Sequence, residues 1–287
     1  MGYVFGMMTG MFRAKWTMPV LAVILLAGTA AAKPVHKEPP VLAKNLGRYE
    51  IVRSETATLR PGEGITLYPR CTGGRMPLGA GLVNGSRTGS VQMAASYPWG
   101  DAWAVEARYV GGEGETLWAY GIAVCGFVQA YHTLMADLVT VNGNTSSFQA
   151  QQCENAFVTY GGGGVFLGGT QSLVLGTYPI TRHMWATEMY NFNSFPVDMR
   201  VFAVCGWAVD GFNVVTGREA VISTGQYIPV TVDCPEGTVA IAGGAHIYGD
   251  QLFTTDSYPL NETSWRIWVR GGGETDILRA YAVCADR

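Results

Sequence analysis

Six cysteines occur in this chain of 287 residues, and they fall into three pairs of one spacing: Cys71/Cys125, Cys153/Cys205 and Cys234/Cys284. The first members stand 82 and 81 residues apart and the second members 80 and 79 apart, so one unit of about 80 residues is copied three times. Between the cysteines the same landmarks recur in the same order. A glycine cluster comes first: Gly79 and Gly81, then Gly161 to Gly164, then Gly243 and Gly244. A tripeptide follows, as Ser96-Tyr97-Pro98, Thr177-Tyr178-Pro179 and Ser257-Tyr258-Pro259. A tryptophan comes five or six residues later: Trp103, Trp185 and Trp265. Each unit closes on an apolar segment that runs into its second cysteine, at Leu117–Cys125, Asp198–Cys205 and Ile277–Cys284.

Six cysteines can pair in many ways. The repeat selects one of them, because each unit carries its own two at matching positions. We therefore expect disulfides Cys71–Cys125, Cys153–Cys205 and Cys234–Cys284, formed in an oxidising compartment. A closed loop of this length is worth roughly 4 kcal/mol per bridge in the chain-entropy model. Zinc is disfavoured, since no CxxC occurs and the histidines do not recur with the cysteines.

Alternation identifies the strands. In the closing segments both faces are apolar: Cys125, Ala123 and Gly121 on one, Val124 and Ile122 on the other. Such a strand is central and covered on both sides. Arg200 and Arg279 stand where Tyr120 does, so that end of the strand reaches the surface. In the tryptophan segments Trp103, Val105 and Ala107 alternate with Ala104, Glu106 and Arg108, the pattern of a half-buried strand with its tryptophan inward. The third copy places Trp268 outward, where the others have Glu106 and Glu188. Glycine is abundant at 38 residues, and its clusters read as tight turns between short strands.

The units abut without spacers. Cys125 is followed by Gly126-Phe127-Val128, and Cys205 by Gly206-Trp207-Ala208. Independent beads would show polar or proline-rich linkers. The expected fold is all-β: three tandem antiparallel repeats, near residues 50–126, 127–206 and 207–287, in one pseudo-threefold, β-prism-like assembly with one sheet per repeat. Three small β-sandwiches packed side by side are the alternative. Closure by symmetry would also protect the sheet edges.

The first 32 residues have the form of an export signal. Arg13 and Lys15 precede the apolar run Pro19–Gly28, and Ala30 to Ala32 supply a cleavage site before Lys33. The rival is a retained anchor, for which the run is at the short limit. The first cysteine is Cys71, so no lipid attaches beside the cut. Residues 33–49 contain three prolines and read as an extended linker. The expected location is secreted or periplasmic. Without residues 1–32, 17 basic side chains face 22 acidic ones. No basic stripe is present, which argues against nucleic acid and against an anionic membrane surface after cleavage.

The third repeat carries Cys234-Pro235-Glu236-Gly237, Gly243-Gly244, Ser257-Tyr258-Pro259, Trp265 and Ala280-Tyr281-Ala282-Val283-Cys284. This resembles a repeat of exported bacterial proteins with the pattern CPxG, GG, S-x-P, W-x-V and A-Y-A-V-C. The resemblance covers about residues 50–287. Repeats one and two depart from it at Cys71-Thr72 and Cys153-Glu154. It implies an exported β-repeat protein and no particular chemistry.

No motif for catalysis stands out. His132, His183 and His246 occupy unrelated positions in their units, and His36 falls in the linker. The glycine runs are not followed by Lys-Ser/Thr, as a phosphate loop requires. Glu113 and Glu115, and Glu274 with Asp276, follow glycines between the tryptophan and closing strands. They have the donor chemistry for calcium, although solvated hairpin tips are the simpler account. A hydrolase needs two facing carboxyls, for which Glu106, Glu188, Asp101, Asp256 and Glu262 are available and undistinguished.

A rigid β scaffold with differing loops favours binding. The loop before each tryptophan differs: Trp99-Gly100-Asp101, Ile180-Thr181-Arg182-His183 and Leu260-Asn261-Glu262. Trp99, Asp101, Arg182, His183, Asn261 and Trp268 are therefore the candidate binding residues. Trp99 and Trp268 are rings outside the repeated pattern and suit sugar faces, or else cover a neighbouring repeat. The expected function is non-catalytic binding of glycans, a cell-envelope partner or a surface protein, with no cofactor beyond a candidate calcium ion. A purely structural body and a hydrolase are the alternatives. Asn84, Asn144 and Asn261 lie in Asn-x-Ser/Thr sites.

Overall fold

The computed structural model describes residues 41–45, 49–111, 114–154, 156–168, 171–249, 252–272 and 275–286. The expected signal segment, residues 33–40 and 46–48 of the linker, Glu113 and Glu274 lie outside them.

No helix occurs among the described residues. The first repeat contains β2 (Tyr49–Arg53), β3 (Ala57–Leu59), β4 (Gly64–Leu67), β5 (Met76–Asn84), β6 (Val91–Trp99), β7 (Ala102–Tyr109) and β8 (Leu117–Gly126), after β1 (Val41–Asn45). The second contains β9 (His132–Met135), β10 (Val139–Val141), β11 (Thr145–Gln152), β12 (Phe157–Leu167), β13 (Ser172–Thr181), β14 (Met184–Asn191) and β15 (Val197–Trp207). The third contains β16 (Asn213–Ser223), β17 (Tyr227–Asp233), β18 (Thr238–Tyr248), β19 (Leu252–Asn261), β20 (Ser264–Gly271) and β21 (Thr275–Asp286). Part of the expected linker is thus a strand, since β1 pairs antiparallel with β2.

Each repeat divides into two halves. In one, the closing strand is central: β8 pairs with β2 and β3 as well as β5, β15 with β9 and β10 as well as β12, and β21 with β16 and β18. That is the position its apolar faces require. In the other half the tryptophan strand is central. β7 lies between β4 and β6, β14 between β11 and β13, and β20 between β17 and β19. Trp103, Trp185 and Trp265 are fully buried. Each indole N–H donates to the hydroxyl that opens the tripeptide: Trp103 to Ser96 at 2.9 Å, Trp185 to Thr177 at 2.7 Å, Trp265 to Ser257 at 2.9 Å. A buried indole needs such an acceptor, which is why Ser or Thr recurs there.

Sheets are not confined to single repeats, contrary to the expectation of one sheet each. Gly164 of β12 bridges Ser96 of β6, and Ala245 of β18 bridges Thr177 of β13. The tryptophan half of one repeat therefore continues into the closing half of the next. The third junction, between β19 and β5, closes the ring differently. These strands belong to separate sheets, and the Asp256 carboxylate accepts the backbone N–H of Asn84 at 2.7 Å. Equivalent tyrosines tie two junctions alike: Tyr131 donates to the Pro77 carbonyl at 2.9 Å, and Tyr49 to the Ala240 carbonyl at 2.9 Å.

The glycine clusters lie inside strands, not in turns. Gly81, Gly163 and Gly244 occupy β5, β12 and β18, and a Cβ on each would overlap the carbonyl of Ser257, Ser96 and Thr177 of a neighbouring repeat. A Cβ on Gly162 or Gly243 would overlap the buried indole of Trp185 or Trp265. Glycine is required here because backbones and rings pack where a side chain would stand. Bulges shift the register just before these glycines in all three repeats, between Pro77/Gly79, Thr159/Gly161 and Ala240/Ala242. They bend each strand locally and increase its twist.

The three disulfides form within repeats as expected, with Cα separations of 5.6, 5.7 and 5.8 Å. Three bridges and no free cysteine suit an oxidising environment.

Candidate functional site

The junctions between repeats share a plan, and one of them departs from it. At the first, Tyr97 stacks on Phe202 with centroids 5.4 Å apart. At the second, Tyr178 stacks on Tyr281 at 5.6 Å and on His246 at 4.4 Å. In both, the tripeptide tyrosine is covered by a ring from the closing strand of the next repeat. At the third junction the corresponding closing-strand residue is Ile122, which offers no ring.

Other aromatics gather at this junction. The Trp268 indole N–H donates to the Tyr258 hydroxyl at 3.4 Å, and Trp268 stacks on Tyr227 at 4.8 Å. On the first-repeat side Trp118 and Tyr120 lie 5.9 Å apart and within 8° of parallel. The Arg53 guanidinium sits 5.7 Å over the Tyr120 ring. Tyr120 is within electrostatic reach of Tyr258 and Asp256. Two ring groups, Trp118 with Tyr120 on the first repeat and Tyr258, Trp268 and Tyr227 on the third, form the aromatic band of this junction. Trp118 is 43% exposed, and a Cβ on Gly85 would overlap its indole, so glycine leaves the ring room to lie flat.

Asp256 lies beneath this band and is only 2% exposed. Besides the Asn84 N–H, it accepts the Asn84 side-chain amide at 3.0 Å and the Tyr227 hydroxyl at 3.1 Å. Burial pushes its carboxyl up to about 7, against the pull of these hydrogen bonds. Burial also raises the Tyr227 hydroxyl, and the neighbouring Asp256 adds to the effect. The equivalent residues are Ala95 and Gly176, so this polar group is unique to the third junction.

Of the residues chosen from sequence, only Trp268 belongs to the band. The other five lie in or beside the three equivalent hairpin turns. Trp99 is 60% exposed and meets Tyr97 edge-on at 6.3 Å. Asp101 pairs with Arg70. Arg182 lies 5.6 Å over the Phe212 ring, and His183 donates from Nδ1 to the Phe157 carbonyl at 2.6 Å. Asn261 accepts the Thr263 N–H at 2.8 Å. Despite their different sequences, the turns share a backbone role. The N–H groups of Cys71, Cys153 and Cys234 donate to the carbonyls of Asp101, His183 and Thr263.

The carboxylates considered for hydrolysis are dispersed. Glu106 and Glu188 stand on the tryptophan strands of the first and second repeats, and burial raises the Glu106 carboxyl. Asp101 and Glu262 lie in hairpin turns of different repeats, and Asp256 is enclosed. For calcium, Glu115 is exposed and Asp276 is buried against Gly249. No group of three or more His, Cys, Asp or Glu side chains suited to a metal occurs among the described residues. Sequence reasoning missed Trp118, Tyr120, Tyr227 and Asn84. Asn84 opens an Asn-x-Ser sequon, yet it is half-buried with its amide bonded to Asp256.

No protein-family model matches the sequence, and no curated protein matches it.

Proposed function

We propose that this is an exported, non-catalytic protein that binds glycans, with cell-envelope polysaccharides as its targets, through the aromatic band of the third junction. One observation carries this reading. The junction that breaks the repeat carries an exposed indole with its parallel tyrosine on the first repeat and a second indole–tyrosine pair on the third. Flat rings offer the apolar faces on which sugar rings stack, and Arg53 with the tyrosine hydroxyls offers hydrogen bonds at their edges. A band of several rings suits an extended chain better than a single sugar. Recognition sites also tend to occur where one copy of a repeat differs from its siblings. Export, by signal cleavage to a secreted or periplasmic location, agrees with the disulfides and with the leader-like first 32 residues.

The test is a screen of the oxidised protein against an array of glycans and envelope polysaccharides, with and without calcium. Saturable binding that weakens in Trp268→Ala supports the reading. A folded protein that binds nothing on the array overturns it in favour of a purely structural body.

A further inference from the structure

Around the pseudo-threefold axis, β6, β13 and β19 each touch the other two. Near one end they carry Gln92, Leu173 and Phe253 at equivalent positions, and these three residues line one pocket of about 500 Å³. Arg108, Tyr109 and Phe192 complete its principal lining. The volume is that of a small-molecule site. None of these residues belongs to the aromatic band, so the pocket stands apart from the proposed glycan site and does not depend on it.

Arg108 is the one charged side chain among the residues that line the pocket. The second and third repeats contribute an apolar patch, with Phe192 and Phe253 ring centroids 5.9 Å apart and Leu173 in the same lining, to which the second repeat adds Gln171 and Ser172. The first repeat contributes Gln92 and, directly across the ladder, Arg108. Gln92 is 4% exposed. Its amide nitrogen donates to the Gly89 carbonyl at 3.3 Å, but its Oε1 is buried without a partner. Arg108 Nε is also buried without a partner. No ion pair of Arg108 occurs among the described residues, although its charge acts on the Glu106 carboxyl. A buried acceptor and a buried donor left unmade on one wall are costly, and such pairs call for an explanation. Leucine at position 173 shows that the fold itself does not need a polar residue there.

We infer that this axial pocket binds a small carboxylic acid with an apolar ring or branched body and a neutral hydrogen-bond donor. The carboxylate meets Arg108, a hydroxyl donates to Gln92 Oε1, and the body lies against Leu173, Phe192 and Phe253. An ammonium donor is disfavoured, because it would bring a second positive charge beside Arg108. The chemistry is that of an aromatic or branched hydroxy acid.

The probe is 2-hydroxy-3-phenylpropanoate, titrated calorimetrically into the oxidised protein, with 3-phenylpropanoate and the amide of the hydroxy acid as comparators. The hydroxy acid should bind saturably, and each comparator should bind about tenfold more weakly for lack of one polar contact. Arg108→Gln should weaken the hydroxy acid about tenfold. Gln92→Leu installs the side chain that the second repeat already has, so it should fold. It should remove the preference for the hydroxy acid over 3-phenylpropanoate while leaving the latter's affinity intact. The inference is overturned if the hydroxy acid fails to saturate by about 1 mM, or if its affinity is unchanged in both variants.

Discussion

The Asp256 carboxylate accepts the backbone N–H of Asn84 at 2.7 Å, across 172 residues of sequence. This bond joins the last repeat to the first at the junction whose two strands lie in separate sheets. The ring of three repeats is therefore closed by a side chain at one place and by backbone pairing at the other two.

That closure gives a pH dependence of known sign. Asp256 in the folded protein is pushed up from 3.8 to about 7. Between those values the folded state holds a proton that the unfolded chain has released. The contribution of this group to stability is thus greatest below about pH 4 and falls as pH rises towards 7. Asp256→Asn should flatten the dependence of the urea midpoint on pH across this window. An unchanged slope in the variant would show that the carboxyl titrates normally and that the closure has another basis.

The strand glycines give a second test. Gly163→Ala places a methyl group against the Ser96 carbonyl, and overpacking of this kind costs about 1–3 kcal/mol or more. Gly64→Ala in β4 meets neighbours no nearer than 3.6 Å and should stay within about 0.5 kcal/mol of the parent. Denaturant unfolding of the two variants separates a glycine needed for backbone approach from one that is not. Equal effects would refute the tight junction.

The buried indole bonds predict a rescue. Ser257→Ala leaves the Trp265 N–H without its acceptor and should cost about 1–3 kcal/mol. Ser257→Thr should be close to the parent, because Thr177 fills the same role in the second repeat. A threonine variant as unstable as the alanine one would contradict the hydrogen-bond account.

Much of the fold is legible in the sequence because it rests on local patterns. The cysteine pairs, the inward tryptophans and the central closing strands follow from spacing and period-two alternation, and each reappears in the structure. The glycine clusters read as turns but are strands, because a run such as Gly161–Gly164 carries no local mark of the neighbouring backbone that demands it. Sheets shared between repeats are hidden for the same reason, as the bridges Gly164–Ser96 and Ala245–Thr177 are long-range. The candidate site is legible only at Trp268. Trp118 and Tyr120 sit at the end of the closing strand that reads as surface, but no local pattern marks them as part of a site, because Gly85 and the facing third repeat lie elsewhere along the chain. Asp256 has one available signal. It stands where the other copies have Ala95 and Gly176.

The most direct measurement compares two exposed tryptophans at different junctions. Dissociation constants for the best polysaccharide hit would be determined for the parent, Trp118→Ala and Trp99→Ala. Loss of a stacking ring should weaken binding about tenfold in Trp118→Ala, while Trp99→Ala stays within about twofold of the parent. Equal losses in the two variants, or a loss confined to Trp99→Ala, would contradict a binding site at the junction that Asp256 closes.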